Sequence, residues 1–176
     1  MPDFELIPYP DSQIPNIRIA GELERIENQL SILYVVKGAI DEILLPKPSA
    51  PTRQDDLWKA TCFEFFFAVP NSPEYWEVNM SSSGAWNVYH MNDYRRVGFC
   101  EEAAISTLPF EFEQQNDKLL LNVTLGLTPI LRAEQNLQIG ITAIIQTKDR
   151  NETYWALAHP GAQADFHLRE SFVISI

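Results

Sequence analysis

The sequence predicts an all-β fold, an antiparallel β-sandwich of the jelly-roll type with few or no helices. Three observations lead there. Apolar and polar residues alternate with a period of two in one segment after another, the pattern of half-buried strands. The segments are short, and turn-forming clusters and 12 prolines punctuate them. Helical periodicity is scarce. Many short strands joined by turns indicate a sandwich or jelly roll.

The elements follow in order. Glu22 to Leu30 holds good helix formers, but Leu23, Ile26 and Leu30 fit a strand–turn–strand as well. From Leu30 the chain reads LSILYVVKG, a strand ending at Gly38. Pro46 to Asp56, with Pro46, Pro48 and Pro51, is the longest irregular segment and reads as a surface loop. Thr61 to Val69 reads TCFEFFFAV, with Phe63, Phe65 and Phe67 on one face and Cys62, Glu64 and Phe66 on the other. A Pro-Asn-Ser-Pro turn follows, then strands at Tyr75 to Met80 and Ala85 to His90, separated by a turn at Ser81 to Gly84. Lys118 to Leu127 places Leu119, Leu121, Val123, Leu125 and Leu127 on one face. Thr128 to Gln135 has room for one helical turn. Leu137 to Gln146 and Thr153 to Ala158 are further strands, and Ser171 to Ile176 closes the chain with Phe172, Ile174 and Ile176 in register. No linker or repeat divides the chain, so the expectation is one domain over residues 1–176.

Charge narrows the function classes. Thirteen basic and 24 acidic residues give a net charge of −11. Phosphate backbones and anionic membranes are bound by clustered Lys and Arg, so neither nucleic acid nor a membrane surface is the expected partner. No stretch approaches the ~18 apolar residues of a membrane span. The N-terminal MPDFELIPYP lacks the basic and apolar regions of a signal peptide, and the expected location is cytoplasmic. Cys62 and Cys100 are expected as two thiols rather than a bridge.

The polar faces are where function can sit. Opposite the apolar stripes lie Glu64, Glu77, Asn79, Asn87, Tyr89, Asn122, Thr124, Thr142 and Gln146. Gathered on one sheet, they form either a solvated face or a platform of carboxylates, amides and hydroxyls. Such a platform suits a small-molecule sugar, whose hydroxyl pairs match planar polar groups and whose apolar face matches an aromatic ring. Trp76 and Trp86 fall on apolar faces and read as core. Trp58 and Trp155 stand open between ligand contact and core packing.

The segment from Arg53 to Arg95, RQDDLWKATCFEFFFAV…YWEVNMSSSGAWNVYHMNDYR, resembles DOMON-like domains similar to family 9 carbohydrate-binding modules. The later ITAIIQ and TYWALAHPGAQADFH resemble the C-terminal part of the same group. The resemblance implies a β-sandwich whose concave face binds sugars, or in some branches haem, without catalysis. It implies an aromatic pair clamping the sugar and a carboxylate six residues after the first Trp. Trp58 and Glu64 match that spacing, Trp155 is the second aromatic it suggests, and Arg95 the basic partner. With the polar face, the expected ligand set is Trp58, Glu64, Glu77, Asn79, Arg95 and Trp155.

His159, Asp165 and His167 form H-x5-D-x-H around a Pro-Gly turn, a spacing that matches no metal signature, so no metal is expected. No cofactor is expected either, with haem at His90, Met91 or Met80 and calcium at Asp55 and Asp56 as alternatives. No nucleophile elbow or phosphate loop is present. Two alternatives to a sugar binder remain: a protein-interaction domain that has lost its ligand site, and a glycoside hydrolase using Glu64 and Glu77. The pattern leaves the oligomeric state open.

Overall fold

The structure, a computed structural model, describes residues 3–10, 13–94 and 100–176. Thirteen strands occur among them: β1 Asp3–Pro8, β2 Ile17–Ile26, β3 Gln29–Gly38, β4 Thr52–Arg53, β5 Cys62–Ala68, β6 Tyr75–Met80, β7 Ala85–Met91, β8 Cys100–Glu101, β9 Phe110–Gln114, β10 Lys118–Gly126, β11 Gln138–Gln146, β12 Glu152–Ala156 and β13 Ile174–Ser175. Three single 3-10 turns interrupt them, and no α-helix occurs among the described residues. The all-β expectation therefore holds.

The arrangement of the strands corrects the antiparallel sandwich. The strands run in the order β4-β7-β6-β5-β11-β12-β1-β2-β3-β10-β9, with β13 beside β11 and β8 beside β7. β1 joins the two halves of this path. Its first residues pair with β2 and its last two, Ile7 and Pro8, pair with β12. The result is one curled, mixed sheet. The mixed character comes from β4, which lies parallel to β7. The chain between β4 and β7 runs through β5 and β6, and a parallel neighbour requires such a long connection rather than a hairpin.

The curl encloses the core. Leu30, Ile32, Tyr34 and Val36 of β3 face Phe63, Phe65 and Phe67 of β5 from the other half, all of them fully buried. The Tyr34 ring meets Phe63 edge-on with centroids 5.3 Å apart. Its hydroxyl donates to the Glu64 carbonyl at 2.7 Å, tying β3 to the site-bearing strand.

Residues 22–30 resolve as strand–turn–strand, with Glu27 in the left-handed region at φ 53°. Residues 128–135 make turns, with one α-type bond from Leu131 N–H to the Leu127 carbonyl. The C-terminal strand is shorter than expected. A 3-10 turn at Arg169–Ser171 precedes it, and only Ile174 and Ser175 pair with β11. The expected common face of Phe172, Ile174 and Ile176 is lost as a result. Phe172 packs on the outer side of the sheet while Ile174 and Ile176 pack against the main core.

Candidate functional site

The site is built from the outward-facing residues of the β11-β5-β6-β7 half. Antiparallel register aligns Thr142, Glu64, Asn79 and Asn87 in one row across these strands. The next row carries Gly140, Phe66, Glu77 and Tyr89. Period-2 alternation put these side chains on the face opposite the Phe stripe. That face is not solvated: Glu64 is 2% exposed and Asn79 1%.

A second layer covers it. Phe66, Tyr75, Tyr89, Met91 and Ile144 form an apolar cluster with Phe166 and Phe172 of the C-terminal segment. A Cβ on Gly140 would lie 2.8 Å from the Phe172 ring, so the ring sits directly on the strand only because glycine is there. The cover leaves a cavity of about 890 Å³. That lies within the ~300–1,000 Å³ of small-molecule sites.

Asp55, Asp56, Glu64, Glu77, Tyr89 and His167 supply the chief ionisable groups of the cavity, with Tyr9, Trp58, Ile144, Tyr154 and Phe166 as its rings and apolar wall. Trp58, in the 3-10 turn Leu57–Lys59, is 50% exposed, and such an indole offers a flat apolar face for stacking. Asp56 just before it adopts the left-handed region at φ 63°, and its carboxylate pairs with Lys59 at 2.6 Å. Asp55 accepts from the Tyr89 hydroxyl at 2.7 Å and the Asn87 amide at 2.9 Å. Arg53 in turn holds Asn87 at 2.8 Å and stacks over Trp86 at 4.5 Å.

The carboxylates have unequal surroundings. The Asn79 amide donates to Glu77 at 2.8 Å, and His167 Nε2 lies 3.9 Å from the same carboxylate. Glu64 meets the Thr142 hydroxyl at 3.5 Å and the Cys62 thiol, and its Oε1 has no hydrogen-bond partner among the described residues. Burial first, and the negative charge of Glu77 second, push the Glu64 carboxyl well above the ordinary carboxylate range. Burial and the bond to Asp55 likewise push the Tyr89 phenol up.

Of the residues singled out in the sequence, Trp58, Glu64 and Glu77 meet at this cavity. Asn79 sits behind the wall and orients Glu77. Trp155 does not reach the cavity. It is 3% exposed within the main core, and its indole N–H donates to Thr153 at 2.9 Å. The aromatic that lines the cavity from β12 is its neighbour Tyr154. Arg95 lies outside the described residues. Asn122 and Thr124 belong to the far half of the sheet, where Thr124 bonds Ser31 at 3.0 Å and Asn122 is exposed. Sequence reasoning missed Tyr9, Tyr154, Gln163 and Phe166 as lining residues. Tyr154 was recoverable from register, since it pairs with the outward-facing Ile144 while Trp155 pairs with the core residue Ala143.

The histidines and Asp165 are engaged at separate places, while Asp55 and Asp56 both line the cavity. His159 bonds the Ile7 carbonyl at 3.0 Å, Asp165 accepts from Tyr94 at 2.6 Å, and His167 Nδ1 bonds Tyr75 at 2.9 Å. His90 stacks on Trp76 with centroids 4.8 Å apart, and Met80 is core. No cluster of three His, Cys, Asp or Glu suited to a metal ion occurs among the described residues. No disulfide joins Cys62, which is buried, to Cys100, which is exposed. No helix among the described residues is long and apolar enough to cross a membrane.

No family model and no curated protein matches the chain. Solved structures do. A candidate carbohydrate-binding protein from Bacteroides uniformis ATCC 8492 superposes with a TM-score of 0.70 at 10% identity, covering 97% of this chain and 83% of that one. A family 9 carbohydrate-binding module from Caldicellulosiruptor kristjanssonii, in complex with glucose, gives 0.52 at 11% identity, over 86% of this chain and 72% of that one. The cellotriose complex of a family 9 module from the same organism gives 0.50 at 9% identity, over 86% and 70%. At these identities the likeness is one of fold.

Proposed function

We propose that this chain is a non-catalytic, DOMON-like carbohydrate-binding protein, and that it takes a small sugar into the cavity beneath Trp58. One observation carries the reading. A half-exposed indole and an acidic floor of Glu64, Glu77 and Asp55 line the same cavity. An aromatic face suits the apolar side of a pyranose, and carboxylates suit its paired hydroxyls. The volume has room for more than one sugar unit. The fold shared with modules solved in complex with glucose and cellotriose supports the same reading.

The test is calorimetric titration with glucose and cello-oligosaccharides, with Trp fluorescence recorded in parallel. Saturable binding that perturbs the indole signal is the expected result. An absence of binding across a broad panel of mono- and oligosaccharides would overturn it. Hydrolysis of an oligosaccharide during the titration would instead favour a glycosidase using Glu64 and Glu77.

A further inference from the structure

We infer, on the carbohydrate reading above, that the cavity takes glycosides carrying an apolar aglycone, with the sugar beneath Trp58 and the aglycone against Ile144, Tyr154 and Phe166. The cavity lining is divided across the sheet. Its floor follows the strand order β7-β6-β5-β11-β12-β1. Tyr89, Glu77 and Glu64 come from the first three of these strands. Ile144 and Tyr154 come from the next two, and Tyr9, just past β1, continues the row through its N–H bond to the Tyr154 carbonyl at 2.7 Å. The other two acids join the first half. Asp55 accepts from Tyr89, and Asp56 opens the 3-10 turn of Trp58, which packs against β5 and β6. His167, bonded to Tyr75 of β6, stays on that side too. Among the described residues, the β11-β12-β1 side of the lining therefore carries no carboxyl group.

This second half presents apolar surface. Ile144 and Phe166 belong to one buried cluster, with Tyr154 packed against it. The Phe166 ring meets Tyr154 edge-on with centroids 6.1 Å apart. Both phenol hydroxyls are taken up by the protein, Tyr9 donating to the Ala162 carbonyl at 2.7 Å and Tyr154 to Glu152 at 3.4 Å. Pro10, Ala162 and Ala164 add small apolar side chains, and the amide of Gln163 stands at an exposed position. A second sugar unit on this side would lose water from its hydroxyls without regaining hydrogen bonds, which is unfavourable. An alkyl or aryl group would instead bury apolar surface against the rings, at about fourfold in affinity per fully buried methylene. The volume of about 890 Å³ lets a sugar and such a group enter together.

The experiment is calorimetric titration of the full chain with methyl β-glucoside, phenyl β-glucoside and phenol at several temperatures. If another sugar binds best in the panel, its methyl and phenyl glycosides replace the glucosides. The phenyl glycoside should bind about tenfold more tightly than the methyl one, a difference of ~1.4 kcal/mol, with a more negative heat-capacity change. Phenol, which lacks the sugar, should bind more weakly than the phenyl glycoside. Ile144→Thr keeps the branched shape and sets a hydroxyl in the apolar wall, so it should shrink the phenyl-to-methyl ratio. Trp58→Ala should weaken both glycosides together and keep the ratio. Equal affinity for the two glycosides overturns the inference and leaves the carbohydrate reading standing. A ratio lost in Trp58→Ala puts the aglycone on the indole and overturns the inference as well. Phenol binding as tightly as the phenyl glycoside, or failure of the glycosides and of the whole sugar panel, overturns the carbohydrate reading itself. The parent titrations and Trp58→Ala, at a half-exposed position, decide the question even where Ile144→Thr does not fold.

Discussion

Glu64 on β5 faces Asn79 on β6 directly, and each presents a buried oxygen that no described donor reaches. Burial first, and the charge of Glu77 second, disfavour a charged carboxylate at Glu64. Its carboxyl is consequently held well above the ordinary carboxylate range at the floor of the cavity.

This arrangement sets a pH dependence. The folded chain keeps the Glu64 proton at pH values where the unfolded chain has released it, because burial raises the folded value. The folded state then binds more protons, so stability falls as pH rises. The loss begins near the ordinary carboxyl value of 4.5 and runs through the raised folded value. Glu64→Gln fills the same volume without a charge. Its melting temperature should exceed the parent's at neutral pH, with a gap that widens toward alkaline pH. Parallel melting curves for the two proteins across the pH range would contradict this.

Phe65 lies on the core face of β5 between Ile141 and Val78 and is fully buried. Phe65→Ala should cost about 3–5 kcal/mol, as ring removal from a packed core leaves a cavity that the sheet cannot close. Urea denaturation measures it. A loss under 1 kcal/mol would mean that this position is not the core the register assigns.

Tyr34 should matter by a different route. Its hydroxyl is buried and donates across the core to the Glu64 carbonyl at 2.7 Å. Tyr34→Phe keeps the ring contacts with Phe4 and Phe63 and deletes that bond. The expected loss is about 0.5–1.5 kcal/mol with an unchanged urea m-value. A loss as large as that of Phe65→Ala would show that the ring packing is disturbed as well.

The alternation at Thr61 to Val69 is enough to place the Phe stripe inside and Glu64 opposite, and Trp58 and Glu64 line one cavity. Alternation says which way a side chain points, but not which half of a sheet its strand joins. Thr124 and Thr142 therefore looked equivalent, although they lie on different halves. It also says nothing about what covers a face. Phe166 and His167 reach the cavity from a segment with no period at all, placed there by a loop and by the packing of Phe172 on Gly140. β1 went unread because its two-sided pairing is a tertiary fact, and Pro8 and Pro10 at its end read locally as loop. Trp155 and Tyr154 differ by one residue in register, and a one-residue shift changes the face of every side chain in the strand. Trp155, which the resemblance suggests, faces the core, and Tyr154 faces the cavity.

Trp58 and Trp155 provide the sharpest contrast between site and core. Trp58 is half-exposed at the cavity, while Trp155 is buried in the main core with its N–H satisfied by Thr153. Trp58→Ala should leave the melting temperature within a few degrees of the parent, since little packing is lost. It should weaken sugar binding by about 5–30-fold, the equivalent of ~1–2 kcal/mol of stacking. Trp155→Phe should do the reverse. It trims a core ring and leaves the Thr153 hydroxyl without its donor, so it lowers stability while changing sugar affinity less than Trp58→Ala does. Calorimetry and thermal melts on both variants, with the best sugar from the panel, separate the two roles. A Trp58→Ala protein that melts early and binds as tightly as the parent would move that indole from the site to the scaffold. The cavity would then have no stacking ring on that side, and the sugar reading would rest on Tyr9 and Tyr154 instead.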